Sequence, residues 1–467
     1  MKMKKILSLS VAMLLAVSLS SCGEIEHKDI DASYYQSDDA GSSSGTDPSA
    51  PQQEEPAKEL VTPSQLEELF ASFDCDLNVS SSFFEWCVET TDNALLLDEL
   101  YDEMSANGYS DEKWYEITGM TIKATNDLYS GKAYEDNNIY VMKSNGEDGI
   151  QLTFGGDISL ADNWHVMQFY ETTENGITDC ISPFLIDKMN CADIAMLNNE
   201  FCFSYNGEPM EGKAWTFRGK PTNVSIYHEM GIDIVDLANN HCYDFGKQAF
   251  LDTLDTLKDA GIEYMGAGRN IEEASLPVYY IIEGKKIAYV AATRAEKYIL
   301  TPEATATDPG VLRCYDPAAF IEVIKEAKQN ADIVIANVHW GTEDSHWLED
   351  VQPETAYQYI DAGADLIVGS HAHCLQGIEY YKGVPIVYNL GNFWFSEYDI
   401  DTGLLGVTIT DDNSMELVFY PATQRNSRTT YVGGEEEGAR ILQCMRDYSS
   451  GNNVSIDDNG VITEITQ

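Results

Sequence analysis

Short apolar runs that do not alternate with polar residues recur along the chain from residue 150 onward. Runs such as "ADIVIANV" and "ADLIVG" follow stretches in which apolar residues return at helical spacing. An unbroken apolar run of this length is typical of a strand that is covered on both faces. The intervening stretch "DFGKQAFLDTLDTLKDAG" places its apolar residues on one helix face and ends in a glycine that suits a helix C-cap. This alternation of helices and buried strands predicts a layered α/β fold.

The first 148 residues divide into three segments of distinct composition. Residues 1–21 combine a lysine-rich start with a short apolar stretch, which is the pattern of a secretory signal peptide, and the small residues before Cys22 resemble a bacterial lipobox. We therefore expect a lipid on the Cys22 thiol and an extracytoplasmic chain anchored to the bacterial membrane; an ordinary signal peptide that is cleaved nearby is the alternative. Residues 22–60, rich in Ser, Asp, Gly, Pro and Glu, predict a disordered tether. Residues 61–148 predict a mainly helical accessory region.

The balance of charges and cysteines limits the partners of the chain. It has 78 acidic and 28 basic residues and a formal net charge of −50, which argues against nucleic acid and offers carboxylates to divalent cations. Ten cysteines occur, so lipidation of Cys22 would leave an odd number and at least one free or intermolecular thiol. Cys180 with Cys191, or Cys75 with Cys87, are alternative disulfides between which the sequence does not decide.

Five of the predicted strands end in residues that bind metals. These residues are Asp157, Glu200, Asn240, His241, His339, His371 and His373. Because ligand sites in α/β sheets gather outside the carboxyl ends of the strands, we expect these side chains to meet at one edge. Carboxylate, carboxamide and imidazole groups form the mixed ligand set of hydrolytic centres that hold Mn, Fe or Zn. A catalytic zinc needs only three protein ligands, so the larger set predicts two divalent cations about 3.5–4 Å apart.

The order of the motifs resembles that of a known family. The chain reads "GGD", "NNE", "ANNHCYDFG", "HWGTE", "GSHAH" and "YNLGNFWF" in succession, as in the bacterial CapA family, which is linked to poly-γ-glutamate capsule synthesis. The resemblance implies a layered αββα sandwich of the calcineurin-like metallophosphoesterase type over residues 149–422, with residues 423–467 as a C-terminal extension. The chain departs from calcineurin-like enzymes at Asp157-Ile158-Ser159, since those enzymes carry a histidine two residues after the aspartate.

The resemblance also implies roles for single residues. Matches to the family's metal ligands are Asp157, Glu200, Asn240, His339, His371 and His373, with Glu200 as the candidate bridging ligand. The i, i+2 spacing of His371 and His373 would let each serve one cation. His241 would face the substrate as a catalytic residue, and Asp244 would orient its ring, with a cap of the following helix as the alternative for Asp244.

The resemblance implies that three further residues line the substrate site. These are Arg218, which would receive an anionic substrate, together with Glu343 and Asn392. A structural ion pair is the alternative for Arg218. The aromatic residues of "WHVMQFY" and "NFWF" are expected to pack rather than to form a platform for sugars.

These observations predict a cell-surface lipoprotein of the CapA type. Its expected activity is that of a metal-dependent hydrolase or transferase in the biosynthesis of poly-γ-glutamate capsule or of another envelope polymer. One alternative is a non-catalytic assembly or anchoring protein of a capsule-synthesis membrane complex that keeps the metal site as a scaffold. Another is a hydrolase of γ-linked glutamate amide bonds. A polyanionic substrate would meet repulsion from a chain of charge −50, so the substrate need not be a polyanion.

Overall fold

The computed structural model describes residues 138–142, 144–145, 149–296 and 300–465. The predicted signal peptide, the lipid attachment at Cys22, the tether and nearly all of the predicted helical region lie outside these residues. None of the described helices is both long and apolar enough to cross a bilayer.

The strands of the described residues, in chain order, are β1 Ile139–Val141, β2 Ile150–Ile158, β3 Ile194–Asn199, β4 Cys202–Phe203, β5 Arg218–Gly219, β6 Ile234–Asp236, β7 Glu263–Met265, β8 Ala267–Gly268, β9 Val278–Ile282, β10 Lys285–Thr293, β11 Gly310–Val311, β12 Ile333–Trp340, β13 Leu366–His371, β14 Ile378–Tyr381, β15 Val384–Val387, β16 Asn392–Trp394, β17 Ile400–Ile409, β18 Met415–Arg425, β19 Arg428–Tyr431, β20 Val454–Ile456 and β21 Val461–Glu464. The α-helices are α1 His165–Tyr170, α2 Pro183–Cys191, α3 Ser225–Met230, α4 Gly246–Asp259, α5 Ile271–Ser275, α6 Ala318–Asn330, α7 Val351–Ala362 and α8 Glu436–Tyr448. Single 3₁₀ turns lie at Gly176–Asp179 and Pro221–Val224.

Two large sheets hold most of these strands. The seven-stranded sheet has the order β1-β9-β10-β12-β13-β15-β14, and the ten-stranded sheet has the order β20-β21-β18-β17-β2-β3-β6-β7, with β16 beside β2 and β19 beside β18. Both sheets are parallel at their centres, because β10, β12 and β13 pair in parallel and so do β2, β3 and β6. The carboxyl ends of each parallel set therefore share one edge of their sheet.

Apolar side chains fill three layers between sheets and helices. The layer between the two sheets holds residues of both, such as Phe154 and Met196 from one sheet and Tyr289 and Ile335 from the other. The outer face of the seven-stranded sheet packs against α6 and α7, and the outer face of the ten-stranded sheet packs against α2, α3 and α4. The predicted layered αββα sandwich is confirmed.

This layering explains why the strands read as unbroken apolar runs. β10 is buried at every position. Its Ile287 and Tyr289 face the opposite sheet, whereas Ala288 and Val290 face the helices. Because both faces of the strand are covered, neither set of alternate positions needs to be polar.

The sandwich extends beyond both of its predicted boundaries. β1 already pairs with β9, ahead of the predicted start at residue 149. The predicted end at residue 422 falls inside β18, and β21 then pairs with β18 while α8 packs Ile441 and Met445 into the layer between the sheets. Residues 423–465 are thus part of the sandwich rather than an extension of it.

Among the described residues, the cysteines separate into the bonded Cys191 and a set of free thiols. Cys191 is disulfide-bonded, whereas Cys180 is free. The alternative pairing of Cys180 with Cys191 is therefore wrong, and Cys75 and Cys87 lie outside the described residues. Cys180 is enclosed in the core beneath the helices, where burial raises the pKa of its thiol to about 12 and leaves it unreactive.

Candidate metal centre

Strands of both sheets deliver metal-binding side chains to one place. The ten-stranded sheet supplies Asp157, Glu200, Asn240 and His241 at the ends of β2, β3 and β6, and the seven-stranded sheet supplies His339, His371 and His373 at the ends of β12 and β13. All are buried except His373, whose side chain is 17% exposed. The side chains come together from two facing sheets, rather than from the single edge that the sequence predicted.

The Glu200 carboxylate is unfavourable to bury in this cluster unless its charge is balanced. It is fully buried, and neither of its carboxylate oxygens has a hydrogen-bond partner. The Nε2 atoms of His339 and His241 lie 3.6 Å and 3.9 Å from its Oε1 atom. Burial raises the pKa of Glu200 well above its usual value, and the charge of Asp157 adds to that effect. A buried carboxylate without partners is strongly unfavourable unless a cation binds it, so Glu200 fits a metal site.

Two groups of ligand atoms surround Glu200. One consists of Glu200, His339 and His371, and the other of Asp157, Glu200 and His373, with the atoms of each group within 4.8 Å of one another. Glu200 belongs to both groups, whereas His371 belongs to one and His373 to the other. The Nδ1 atom of His371 is buried and unpartnered, like the Glu200 oxygens. The chemistry of this donor set fits two neighbouring divalent cations.

An unusual backbone conformation sets the directions of the His371 and His373 side chains. His371 has φ 94° and His373 has φ 55°, so both lie in the left-handed region that non-glycine residues seldom adopt. The His371 ring lies 4.6 Å from the ring of His339, between centroids, whereas the His373 Nδ1 atom lies 3.1 Å from Asp157 Oδ2. The two imidazoles thus reach different groups because the chain turns at each of them, and not because alternate residues of a strand point the same way. Backbone strain of this kind is found mainly at functional sites.

Neighbouring polar groups fix the remaining ligands. Ser370 Oγ lies 2.8 Å from Nδ1 of His339, and Asn240 Oδ1 lies 2.8 Å from its Nε2. The side-chain amide of Asn198 donates to Asp157 Oδ1 at 2.7 Å. Contacts of this kind hold the rings and carboxylates in orientations that favour metal binding.

The surroundings of the candidate ligands lower the pKa of two histidines and raise the pKa of a third. Burial lowers the pKa of His339 and of His371 well below the usual value, which favours the neutral imidazole that a metal requires. Burial alone would also lower the pKa of His373, but the charges of Glu200 and Asp157 raise it to about 10. Metal binding at this group would therefore release a proton from His373.

His241 lies beside the ligand groups and is oriented by Asp244. Its Nδ1 atom lies 2.7 Å from Asp244 Oδ2, so Nε2 faces the centre. Asp244 is fully buried and accepts a second hydrogen bond from the backbone N–H of Phe217. Helix α4 begins at Gly246 with Phe245 at its N-cap and has no side-chain cap, so Asp244 does not cap it.

Lys213 completes this arrangement, and no motif in the sequence pointed to it. Its ammonium lies 2.7 Å from Asp244 Oδ1 and 3.2 Å from Glu296 Oε1, and it donates to the backbone carbonyl of Asn240. The side chain is only 5% exposed. Burial alone would lower the pKa of Lys213, but Asp244 and Glu296 raise it above its usual value. A buried ammonium therefore balances the carboxylate that orients His241.

The three residues expected to line the substrate site lie in different surroundings. Asn392 is buried, and its Oδ1 atom lies 2.8 Å from His373 Nδ1. Glu343 is exposed, and its charge contributes to the raised pKa of both Glu200 and His373. Arg218 donates through its Nη1 atom to the backbone carbonyls of residues 206 and 207 and packs over a phenylalanine ring, and it forms no ion pair with any described residue.

Two other residues support the ligands, and doubled asparagines in the motifs are their signal in the sequence. Asn198 and Asn239 are the first members of the doubled asparagines in "NNE" and "ANNH". The Asn239 amide donates to Asn198 Oδ1 at 3.0 Å, and its own oxygen accepts from the backbone N–H of His241. The paired asparagines therefore join the β3 and β6 ends, so that each motif supplies both a ligand and its support.

The chain is similar in sequence to proteins named for capsule biosynthesis. The chain is 32% identical over 240 residues to a Bacillus anthracis capsule biosynthesis protein, CapA, which covers 50% of this chain and 58% of that protein. It is 31% identical over 272 residues to the CapA protein of poly-γ-glutamate biosynthesis from Bacillus subtilis, covering 58% of this chain and 68% of that protein. Among solved structures, Haemophilus influenzae NAD nucleotidase is 11% identical with a TM-score of 0.32, covering 66% of this chain and 64% of that one.

The family model for the bacterial capsule synthesis protein PGA_cap matches residues 151–397, which is more than half of the chain and includes every candidate metal ligand. The resemblance inferred from the motif order is confirmed, and the chain belongs to the PGA_cap family of bacterial capsule synthesis proteins.

Proposed function

We propose that this chain is a CapA-type accessory protein of capsule or envelope polymer synthesis that hydrolyses a bond of the polymer at a two-cation centre. The main support is Glu200, a fully buried carboxylate with two unpartnered oxygens that belongs to both ligand groups. Relatives named for capsule biosynthesis and poly-γ-glutamate biosynthesis support the biological setting. The lipobox-like sequence at Cys22 supports attachment to the outer face of the bacterial membrane.

Each group of the centre has a part in this proposal. Glu200 would bridge the cations, with Asp157 and His373 on one side and His339 and His371 on the other. Asn240 would add its amide oxygen next to His339. The cations, Mn, Fe or Zn, would polarise the bond that is cut and favour ionisation of water near neutral pH.

His241 would take part in proton transfer at the leaving group. Because Asp244 engages Nδ1, the ring holds a fixed tautomer and offers Nε2 toward the ligand groups. Burial lowers the pKa of His241, although Asp244 raises it in part, so the neutral imidazole is favoured and its Nε2 atom can accept a proton.

The test combines metal analysis with turnover. The full-length chain in detergent should hold about two transition-metal ions, and it should hydrolyse at least one of three substrates: a phosphomonoester, a phosphodiester and poly-γ-glutamate. Glu200→Gln should lose both metal and turnover. His241→Gln should keep the metal and lose turnover, whereas the matched change His228→Gln, at an exposed position of α3, should alter neither.

The results also separate this function from its alternative. Stoichiometric metal without turnover on any of the three substrates would refute hydrolysis and favour a structural role in capsule assembly. Full turnover by Glu200→Gln would refute the assignment of the centre itself.

A further inference from the structure

A row of aromatic side chains runs from the metal centre toward solvent. Phe217 packs against His241 with ring centroids 4.7 Å apart, and Phe395 packs against His373 at 5.1 Å. The two phenylalanine rings lie 5.3 Å apart and are 4% and 5% exposed. They form an apolar side of the centre beside the candidate catalytic histidine.

Two tryptophans continue this row outward. The Trp164 ring lies 4.8 Å from Phe217, and its Nε1 atom donates to the backbone carbonyl of Phe395 at 2.5 Å. The Trp215 ring lies 6.0 Å from Trp164 at an interplanar angle of 63° and is 62% exposed. We call Trp164, Trp215, Phe217 and Phe395 the aromatic wall.

Trp215 is held in place although it is exposed. Two residues before it, Lys213 is anchored to Asp244, and two residues after it, the backbone N–H of Phe217 donates to the same carboxylate. The indole therefore lies between two fixed points. An exposed tryptophan forgoes the large apolar area that its burial would contribute, so a fixed exposed indole at the mouth of a site points to a ligand.

We propose that Trp215, the exposed end of the aromatic wall, binds a sugar ring of the substrate, while the buried rings behind it pack against the centre. This inference rests on the proposed function, because it assigns the substrate class of the same site. A pyranose has a face of C–H groups that packs on a flat aromatic ring, while its hydroxyl groups need hydrogen-bond acceptors. Acceptors lie at the same mouth, where Glu397 is 3.5 Å from His165 and the His165 ring packs 4.8 Å from that of Trp164.

The charges beside the wall distinguish a sugar from a polyanion. The loop of residues 204–218 carries two cations. Two carboxylates neutralise Lys213, whereas backbone carbonyls hold Arg218 through its Nη1 atom and leave its charge in place. The exposed carboxylates of Glu343 and Glu397 add negative charge. A polyglutamate chain would therefore meet repulsion at this surface, whereas an uncharged sugar would not.

Equilibrium binding tests the wall independently of turnover. Tryptophan fluorescence of the full chain would be titrated with a tetramer of N-acetylglucosamine, a tetramer of glucose and a poly-γ-glutamate oligomer of similar length. We expect a sugar tetramer to bind in preference to polyglutamate, and Trp215→Ala to weaken that binding about tenfold or more. Trp347→Ala is the matched control, because Trp347 is 71% exposed and packs near Tyr448 instead of near the wall. Trp215→Tyr should restore most of the affinity.

Each outcome decides the point. Loss of sugar binding in Trp215→Ala, with an unchanged melting temperature and normal binding by Trp347→Ala, supports the wall. Equal sugar binding by wild type and Trp215→Ala overturns it, and so does a wild-type chain that binds polyglutamate but neither sugar. Absence of turnover would count against the proposed hydrolysis only, since binding is measured without it.

Discussion

Replacing Lys213 by methionine tests the electrostatic design of the site. Methionine keeps an unbranched side chain that is one atom shorter and removes the ammonium. The Asp244 carboxylate would then lose its 2.7 Å partner while remaining fully buried. Asp244 would still accept from the backbone N–H of Phe217 and face His241, but no cation would balance its charge.

The structure sets the size of the effect. Because both partners are almost completely buried, solvent does not screen the pair, and removing one partner should cost about 3–5 kcal/mol of unfolding free energy. For a folded unit of this size, that corresponds to a melting temperature lower by roughly 4–7 °C. The Lys220 ammonium lies 4.0 Å from Asp162 and is 47% exposed, so Lys220→Met should change stability by less than about 1 kcal/mol.

A double-mutant cycle gives the decisive measurement. Melting temperatures of Lys213→Met, Asp244→Asn and the double variant would be compared by calorimetry under one buffer condition. If an uncompensated buried charge is the cause, the double variant should be more stable than Lys213→Met alone, because the asparagine carries no charge. Strictly additive losses, or a Lys213→Met variant as stable as Lys220→Met, would refute the reasoning.

Four more substitutions probe the ligands, a supporting hydroxyl and a close backbone contact. His371→Ala and His373→Ala should each leave about one cation per chain in place of two by elemental analysis, because the residues belong to different ligand groups; two cations in either variant would contradict this. Ser370→Ala removes the hydroxyl 2.8 Å from His339 Nδ1 and should weaken metal binding about 10–100-fold in competition with a chelator, and an unchanged affinity would count against a supporting role. Gly156→Ala would place a Cβ atom 1.7 Å from a backbone carbonyl oxygen and should destabilise the chain by about 1–3 kcal/mol or more, so a wild-type melting temperature would disprove that close contact.

The strand ends were readable from sequence because their signal is local. A run such as "ADLIVG" shows that both of its faces are buried, and the polar residues that follow it mark the end of the strand. His371 and Glu200 could be assigned to one centre on this basis. The sequence could not show that the ligands are divided between two facing sheets. That division depends on which strands pair, and pairing is a long-range property.

The supports of the site were less predictable for a physical reason. Lys213 lies in a loop without periodicity, and only the folded chain brings it to Asp244. The family resemblance assigned Arg218 to an anionic substrate, and the resemblance could not show that backbone carbonyls of its own loop accept hydrogen bonds from its Nη1 atom. The left-handed backbone at His373 is equally unreadable, since only glycine and, less strongly, asparagine announce that conformation in a sequence.

The candidate metal ligands and the exposed end of the aromatic wall lie on different kinds of structural element. The ligands lie at the ends of β2, β3, β12 and β13, so a close-packed layer between the sheets fixes the distances among them. The exposed end of the aromatic wall lies instead on a loop, where Trp215 has no partner in the core and can be replaced without disturbing the sheets. Loops vary more readily than the strands that carry them. A change at Trp215 should therefore alter recognition at the loop without moving the candidate ligands, because their distances are fixed by the packed strands and not by the loop.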